Sequence, residues 1–130
     1  MRNVIITVLL ILSPLSSARD LKGEFAQYSD QERTFLREQK IPGTRSRCCD
    51  ENDGTKAQEE SKGPYVVSFE ACRMNYLGDT AFMECIPVPS MRVPDSAVIN
   101  EPNRVGRPIV WFYFEQNTVK IKCYLPGAGL

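Results

Sequence analysis

The chain has 130 residues, of which 42% are hydrophobic and 25% charged, and its formal net charge is zero. That composition suits one globular domain and excludes a disordered chain. Without a net positive charge there is no bulk field to collect nucleic acid or an anionic membrane, so neither is expected as a partner.

Residues 1–20 read as an export leader. Arg2 gives a positive start, residues 4–12 are an apolar run, and Pro14 ends any helix. Ser16-Ser17-Ala18 then places small residues where a signal peptidase reads, so a signal peptide over 1–18 is expected. The apolar run is too short for a hydrocarbon layer of roughly 30 Å, which takes about 20 apolar residues. No stable membrane span is expected after cleavage. The five cysteines, Cys48, Cys49, Cys72, Cys85 and Cys123, all follow the cleavage point. In an oxidising compartment they favour disulfides, and their odd number leaves one thiol over or pairs it between chains.

A helical N-terminal segment is expected over 19–45. Ser29 followed by Glu32 is a capping-box pattern, and residues 30–39 are good helix formers. Phe25, Tyr28, Phe35 and Leu36 make a thin apolar stripe, which predicts a helix docked on a sheet. Ile41-Pro42-Gly43 ends it. Residues 43–63 are polar and read as turns. Asp50-Glu51-Asn52-Asp53-Gly54 is acidic, but its carboxylates lack the alternate spacing of a calcium loop, so a structural turn is expected.

From Pro64 the character becomes β. Residues 65–71 and 81–88 read as strands of a hairpin whose turn is Gly78-Asp79. Leu77 then closes against Thr80, Met74 faces Met83, Arg73 faces Glu84, Cys72 faces Cys85 and Phe69 faces Val88. Cys72 and Cys85 fall on a non-hydrogen-bonded pair, where Cα atoms are about 4.5 Å apart, close enough for a bridge across the hairpin. Residues 90–108 are a proline-punctuated connection. A second hairpin pairs 109–114 with 119–125. One face collects Val110, Phe112 and Phe114 opposite Cys123, Ile121 and Val119; the other sets Trp111 opposite Lys122 and Tyr113 opposite Lys120.

Several stretches together carry a resemblance: Arg47-Cys48-Cys49-Asp50 through Asp53-Gly54, Val93-Pro94-Asp95-Ser96-Ala97-Val98-Ile99, Glu101-Pro102-Asn103-Arg104-Val105-Gly106-Arg107-Pro108-Ile109-Val110-Trp111, and Ile121-Lys122-Cys123-Tyr124-Leu125-Pro126-Gly127. Over most of residues 46–130 the chain resembles small exported proteins of rhizobia and related alphaproteobacteria, a group of uncharacterised function. The resemblance implies a bacterial, exported origin and no activity. The chain departs from that pattern by an extension over about 71–89, which carries Cys72 and Cys85 and fits a local bridge. Cys123 is then left for Cys48 or Cys49. That second bridge would close more than 70 residues, contributing ~4 kcal/mol in the loop-entropy picture, less any strain.

Histidine is absent, which excludes Ser-His-Asp and Cys-His mechanisms and histidine metal sites. The cysteine spacing is not that of a zinc site, and no phosphate-binding loop is present, so no cofactor or metal is expected. Two features remain. Cys48-Cys49 lies beside Arg45 and Arg47, and positive neighbours favour a reactive thiolate. The face of Trp111, Tyr113, Lys120 and Lys122 could hold an anionic or sugar ligand, or the N-terminal helix could cover its rings. Glu59-Glu60 reads as solvated surface.

The expectation is an α+β, mainly β domain over 46–130. Its N-terminal helix lies on a small antiparallel sheet of two hairpins, either open or curled toward a barrel. The leading functional expectation is a non-enzymatic periplasmic or secreted module that binds a protein or glycan through the aromatic–lysine face. The alternatives are a thiol-redox protein using Cys48-Cys49 and a structural envelope component.

Overall fold

The computed structural model describes residues 23–49 and 54–127. The expected leader and the acidic run from Asp50 to Asp53 lie outside the described residues. A single 3-10 turn, Phe25–Gln27, precedes helix α1, Asp30–Glu38. Six strands follow: β1 Thr55–Lys56, β2 Gln58–Lys62, β3 Tyr65–Leu77, β4 Thr80–Arg92, β5 Ile109–Glu115 and β6 Thr118–Leu125.

The capping box forms at α1. Ser29 Oγ accepts from Glu32 N–H at 3.1 Å, and Ser29 N–H donates to Glu32 Oε1 at 3.0 Å. These contacts satisfy donors that the first helical turn cannot pair internally. They also hold the Glu32 carboxyl below its ordinary range, with the backbone hydrogen bond to Ser29 as the main cause.

The chain is α+β and mainly β, but its two hairpins lie in different sheets. One sheet has the order β1-β5-β6 and the other β2-β3-β4, all neighbours antiparallel. Neither closes into a barrel. The third strand of each sheet comes from the polar stretch expected to be turns. Thr55 and Lys56 pair with Val110 and Ile109, and Gln58 to Lys62 pair with residues 65–68 of β3. Residues 58–62 alternate exposed and half-buried positions. They form an edge strand whose ladder partner, not its own propensity, decides its conformation.

Three layers result. Between the sheets lie Val67, Phe69, Ala71, Val88, Val110, Phe112, Val119, Ile121 and Tyr124. Phe69 stacks on Phe112 with centroids 5.7 Å apart. On the other face of the β5 sheet, the N-terminal layer packs Phe25, Tyr28, Leu36, Cys48 and Cys49 against Ile109, Trp111, Cys123 and Leu125. Strand β5 is therefore covered on both sides, and Ile109, Val110, Trp111 and Phe112 are all buried.

The first hairpin has the expected register from Leu77–Thr80 through Cys72–Cys85 to Phe69–Val88. Gly78 supplies the positive φ, 62°, that its two-residue turn requires. The second hairpin slips. Phe112 faces Ile121 as expected, but Trp111 faces Cys123 and Val110 faces Tyr124, with a bulge between them. Lys122 is the extra residue. A bulge breaks the period of two, so Val119 and Ile121 point between the sheets while Cys123 and Leu125 point to the helix. Cys123 thus lies on the opposite face from the one its spacing suggested.

Gly54 leads into β1 against this doubly covered strand. A Cβ there would fall inside the contact distance of Ile109 Cγ2 and 3.0 Å from Trp111 Cε2. Both neighbours are fully buried and cannot retreat into solvent. Gly54→Ala is expected to destabilise the fold by about 1–3 kcal/mol through overpacking, measured by denaturant unfolding of the oxidised protein.

Candidate functional site

The sulfur chemistry is structural in layout. Cys48 is joined to Cys123 and Cys72 to Cys85. Cys49, the other candidate for Cys123, keeps its thiol, which is buried and donates to Arg37 C=O at 3.5 Å. Consecutive residues cannot both aim at one target: Cys48 reaches across to β6 while Cys49 turns toward the end of α1. Arg45 and Arg47 are exposed, whereas Cys48, Cys49 and Cys123 are all buried in the helix-side core. Exchange needs an accessible sulfur for an incoming thiolate, and this pair offers none at the surface.

The aromatic–lysine face does not assemble. Trp111 is 1% exposed and sits among Phe25, Tyr28 and Leu36, under the N-terminal layer. The bulge at Lys122 removes the expected Trp111–Lys122 pairing. Tyr113 does face Lys120, and Tyr113 and Lys122 are half-buried while Lys120 is exposed. The ring expected to anchor a ligand is instead a core residue. Trp111→Ala should cost about 3–5 kcal/mol of folding stability. A melting temperature unchanged from the parent would contradict this placement.

Glu70, Cys72 and Cys85 bring three ligand-type atoms within 4.8 Å of one another. The two sulfurs are bonded to each other, so they present no thiolate to a metal.

Glu59 is more than solvated surface. Its Oε1 accepts from Tyr124 O–H at 2.6 Å and from Gly127 N–H at 2.8 Å, tying β2 of one sheet to β6 of the other. Tyr124 is fully buried. Burial first, and then the Glu59 carboxylate, push its phenol well above the ordinary value of 10.0. Only the neutral phenol donates to Glu59. The stability it contributes is therefore complete below about pH 10 and falls as pH rises past that point, because the unfolded chain ionises first. Tyr124→Phe should flatten that alkaline decline relative to the parent, read as unfolding midpoints across pH 8–11.

One element stands out from the layers. Beyond Cys72 and Cys85, neither β3 nor β4 contributes a residue to either core. This outer part of the hairpin forms an arm. Its root is cross-linked by the Cys72–Cys85 bridge, with Cα atoms 4.0 Å apart. It is also anchored by Arg73, whose guanidinium lies 4.5 Å from the Phe114 centroid and 3.4 Å from Glu84 Oε2. Asn75 Nδ2 donates to the same Glu84 oxygen at 2.9 Å. Toward the tip, Tyr76 is 63% exposed, Leu77 78%, Phe82 42% and Met83 48%. Tyr76 and Met83 lie on one face of the ribbon, Leu77 and Phe82 on the other. Sequence reasoning found the hairpin and its bridge but passed over these side chains. The signal was there: both faces near the turn are apolar, so neither alternation assigns an inside.

Clefts flank the layers. One of 670 Å³ lies between the end of α1 and the following loops, where Glu38 and Glu101 mix with Lys40, Arg47 and Arg104. Another, of 550 Å³, adjoins the root of the arm and is lined by Ala57, Phe69, Pro87, Val88, Pro89 and Pro108 together with the polar residues Lys56, Gln58, Ser68 and Arg107. No helix among the described residues is long and apolar enough to cross a membrane. No protein family, curated protein or solved structure matches this chain.

Proposed function

We propose that this chain is an exported, non-enzymatic interaction module whose contact element is the arm of β3 and β4. The exposure of Tyr76, Leu77, Phe82 and Met83 on a strand pair cross-linked at its root carries this reading. Clustered exposed apolar side chains mark contact sites, and aromatic residues and methionine are enriched where proteins meet. An isolated two-stranded ribbon is marginally stable in water, so the bridge and the Arg73–Phe114 contact hold the patch ready before a partner arrives.

Support for export comes from the leader-like residues 1–18 and from two disulfides, which persist in oxidising compartments. The resemblance to small exported alphaproteobacterial proteins supports a periplasmic or secreted setting. The partner class is protein. The glycan alternative leaned on Trp111, which lies inside the fold.

A photoreactive side chain placed at Tyr76 or Phe82 should cross-link to protein in the compartment where the chain resides. The same group at the exposed positions Lys62 and Glu115 should not. An arm that forms no adduct from either position would retire this reading.

A further inference from the structure

We infer that the cleft at the end of α1 binds a small zwitterion, an α-amino acid or a short peptide with free ends. Its carboxylate would lie between Lys40 and Arg47, and its ammonium at Gln39 and Glu38. The site is separate from the arm and does not depend on it.

The first ground is a like-charge pair that an anion would relieve. Lys40 and Arg47 face each other in an isolated antiparallel bridge. The flanking hydrogen bonds run from Ile41 N–H to Ser46 C=O and from Cys48 N–H to Gln39 C=O, both at 2.9 Å. Lys40 and Arg47 are therefore the non-hydrogen-bonded pair, the register that brings side chains closest. Two cations directly opposite one another repel. Both line the cleft, and neither forms an ion pair among the described residues.

The second ground is a buried acceptor with nothing to accept. Gln39 lines the same cleft and is 4% exposed. Its Nε2 donates to Phe35 C=O at 3.0 Å. A carbonyl can only accept, so this contact fixes which end of the amide is nitrogen. The Oε1 at the other end has no donor among the described residues. Glu38 stands beside it in the chain and also lines the cleft. The carbonyl end of α1 adds partial negative charge there. An N–H donor carrying positive charge suits all three.

The third ground is that the walls are set before a ligand arrives. Asn103 pins the loop that brings Glu101, Pro102 and Arg104 to the cleft. Its Nδ2 donates to the carbonyls of Arg107 and Pro126 at 2.6 and 2.8 Å, and its Oδ1 accepts from the N–H groups of Val105 and Gly106. Arg104 lies over the Phe35 ring, 5.7 Å from its centroid. On the other wall, Cys48 ties the segment after Arg47 to β6. A site held in shape loses less affinity to ordering.

The mixture of signs selects the ligand class. A phosphate would place a doubly charged anion beside Glu38 and Glu101. A zwitterion instead meets an opposite charge at each end. Phe35 and Pro102 offer apolar surface for its side chain.

The test is a titration of the purified, oxidised protein with leucine and with trialanine, followed by amide chemical shifts. Saturable shifts of the Gln39 side-chain amide and of the Lys40 and Arg47 backbone amides are expected. The tighter of the two probes tells a free amino acid from a peptide. N-acetylleucine and leucinamide, each lacking one charge, should bind about tenfold more weakly or worse. Arg47→Glu sets opposite charges across the bridge, so it should leave the melting temperature at or above the parent's while binding falls by about tenfold or more. Failure of both probes to saturate at millimolar concentration would overturn the inference. So would binding of leucine that Arg47→Glu leaves unchanged. Acetate or inorganic phosphate binding as tightly as leucine would mean an anion site only, and would overturn it as well.

Discussion

Ile109, Val110, Trp111 and Phe112 occupy consecutive positions of β5, and water reaches none of them. A strand sends alternate side chains to opposite faces, so four buried neighbours in a row require cover on both sides. The helical layer supplies one cover and the β2-β3-β4 sheet the other. The rest of the fold answers that demand. Gly54 has no Cβ because β5 leaves no room for one. The bulge at Lys122 lets β6 serve both cores, with Ile121 on one side and Cys123 on the other.

The Cys48–Cys123 bridge secures the thinner of these covers. Helix α1 buries only Leu36 fully, and the rest of its layer comes from Phe25, Tyr28 and the cysteine pair. Such a layer contributes little apolar area, and small domains have little to spare. The bridge spans 75 residues and joins the layer to β6. A closure of that length removes ~4 kcal/mol of unfolded-chain entropy. The second bridge spans 13 residues and acts locally, at the root of the arm.

What the sequence made legible followed from local rules. The capping box at Ser29 and Glu32, the turn at Gly78 and the facing of Cys72 and Cys85 each depend on residues close along the chain. What stayed hidden depended on distant partners. Residues 58–62 carry glutamine, glutamates, serine and lysine, a poor strand by propensity, and only β3 makes them one. The bulge at Lys122 leaves no mark in composition, yet it removed the expected pairing of Lys122 with Trp111, whose ring lies under the N-terminal layer. The partner of Cys123 could not be told between two adjacent cysteines until the loop's path was known. The exposed tip was overlooked because an apolar strand residue is read as core unless something shows that no layer covers it.

The segment from Thr55 to Lys62 lies in both sheets, and Ala57 is the one residue between its two strands. Ala57 is itself held, its N–H donating to Pro108 C=O at 3.0 Å. That leaves no slack at the crossing. Sliding one sheet over the other would have to tear ladder bonds on one side of Ala57 or the other. The segment acts as a rivet, transmitting shear from layer to layer, so the body of the protein should come apart in one cooperative event and not sheet by sheet.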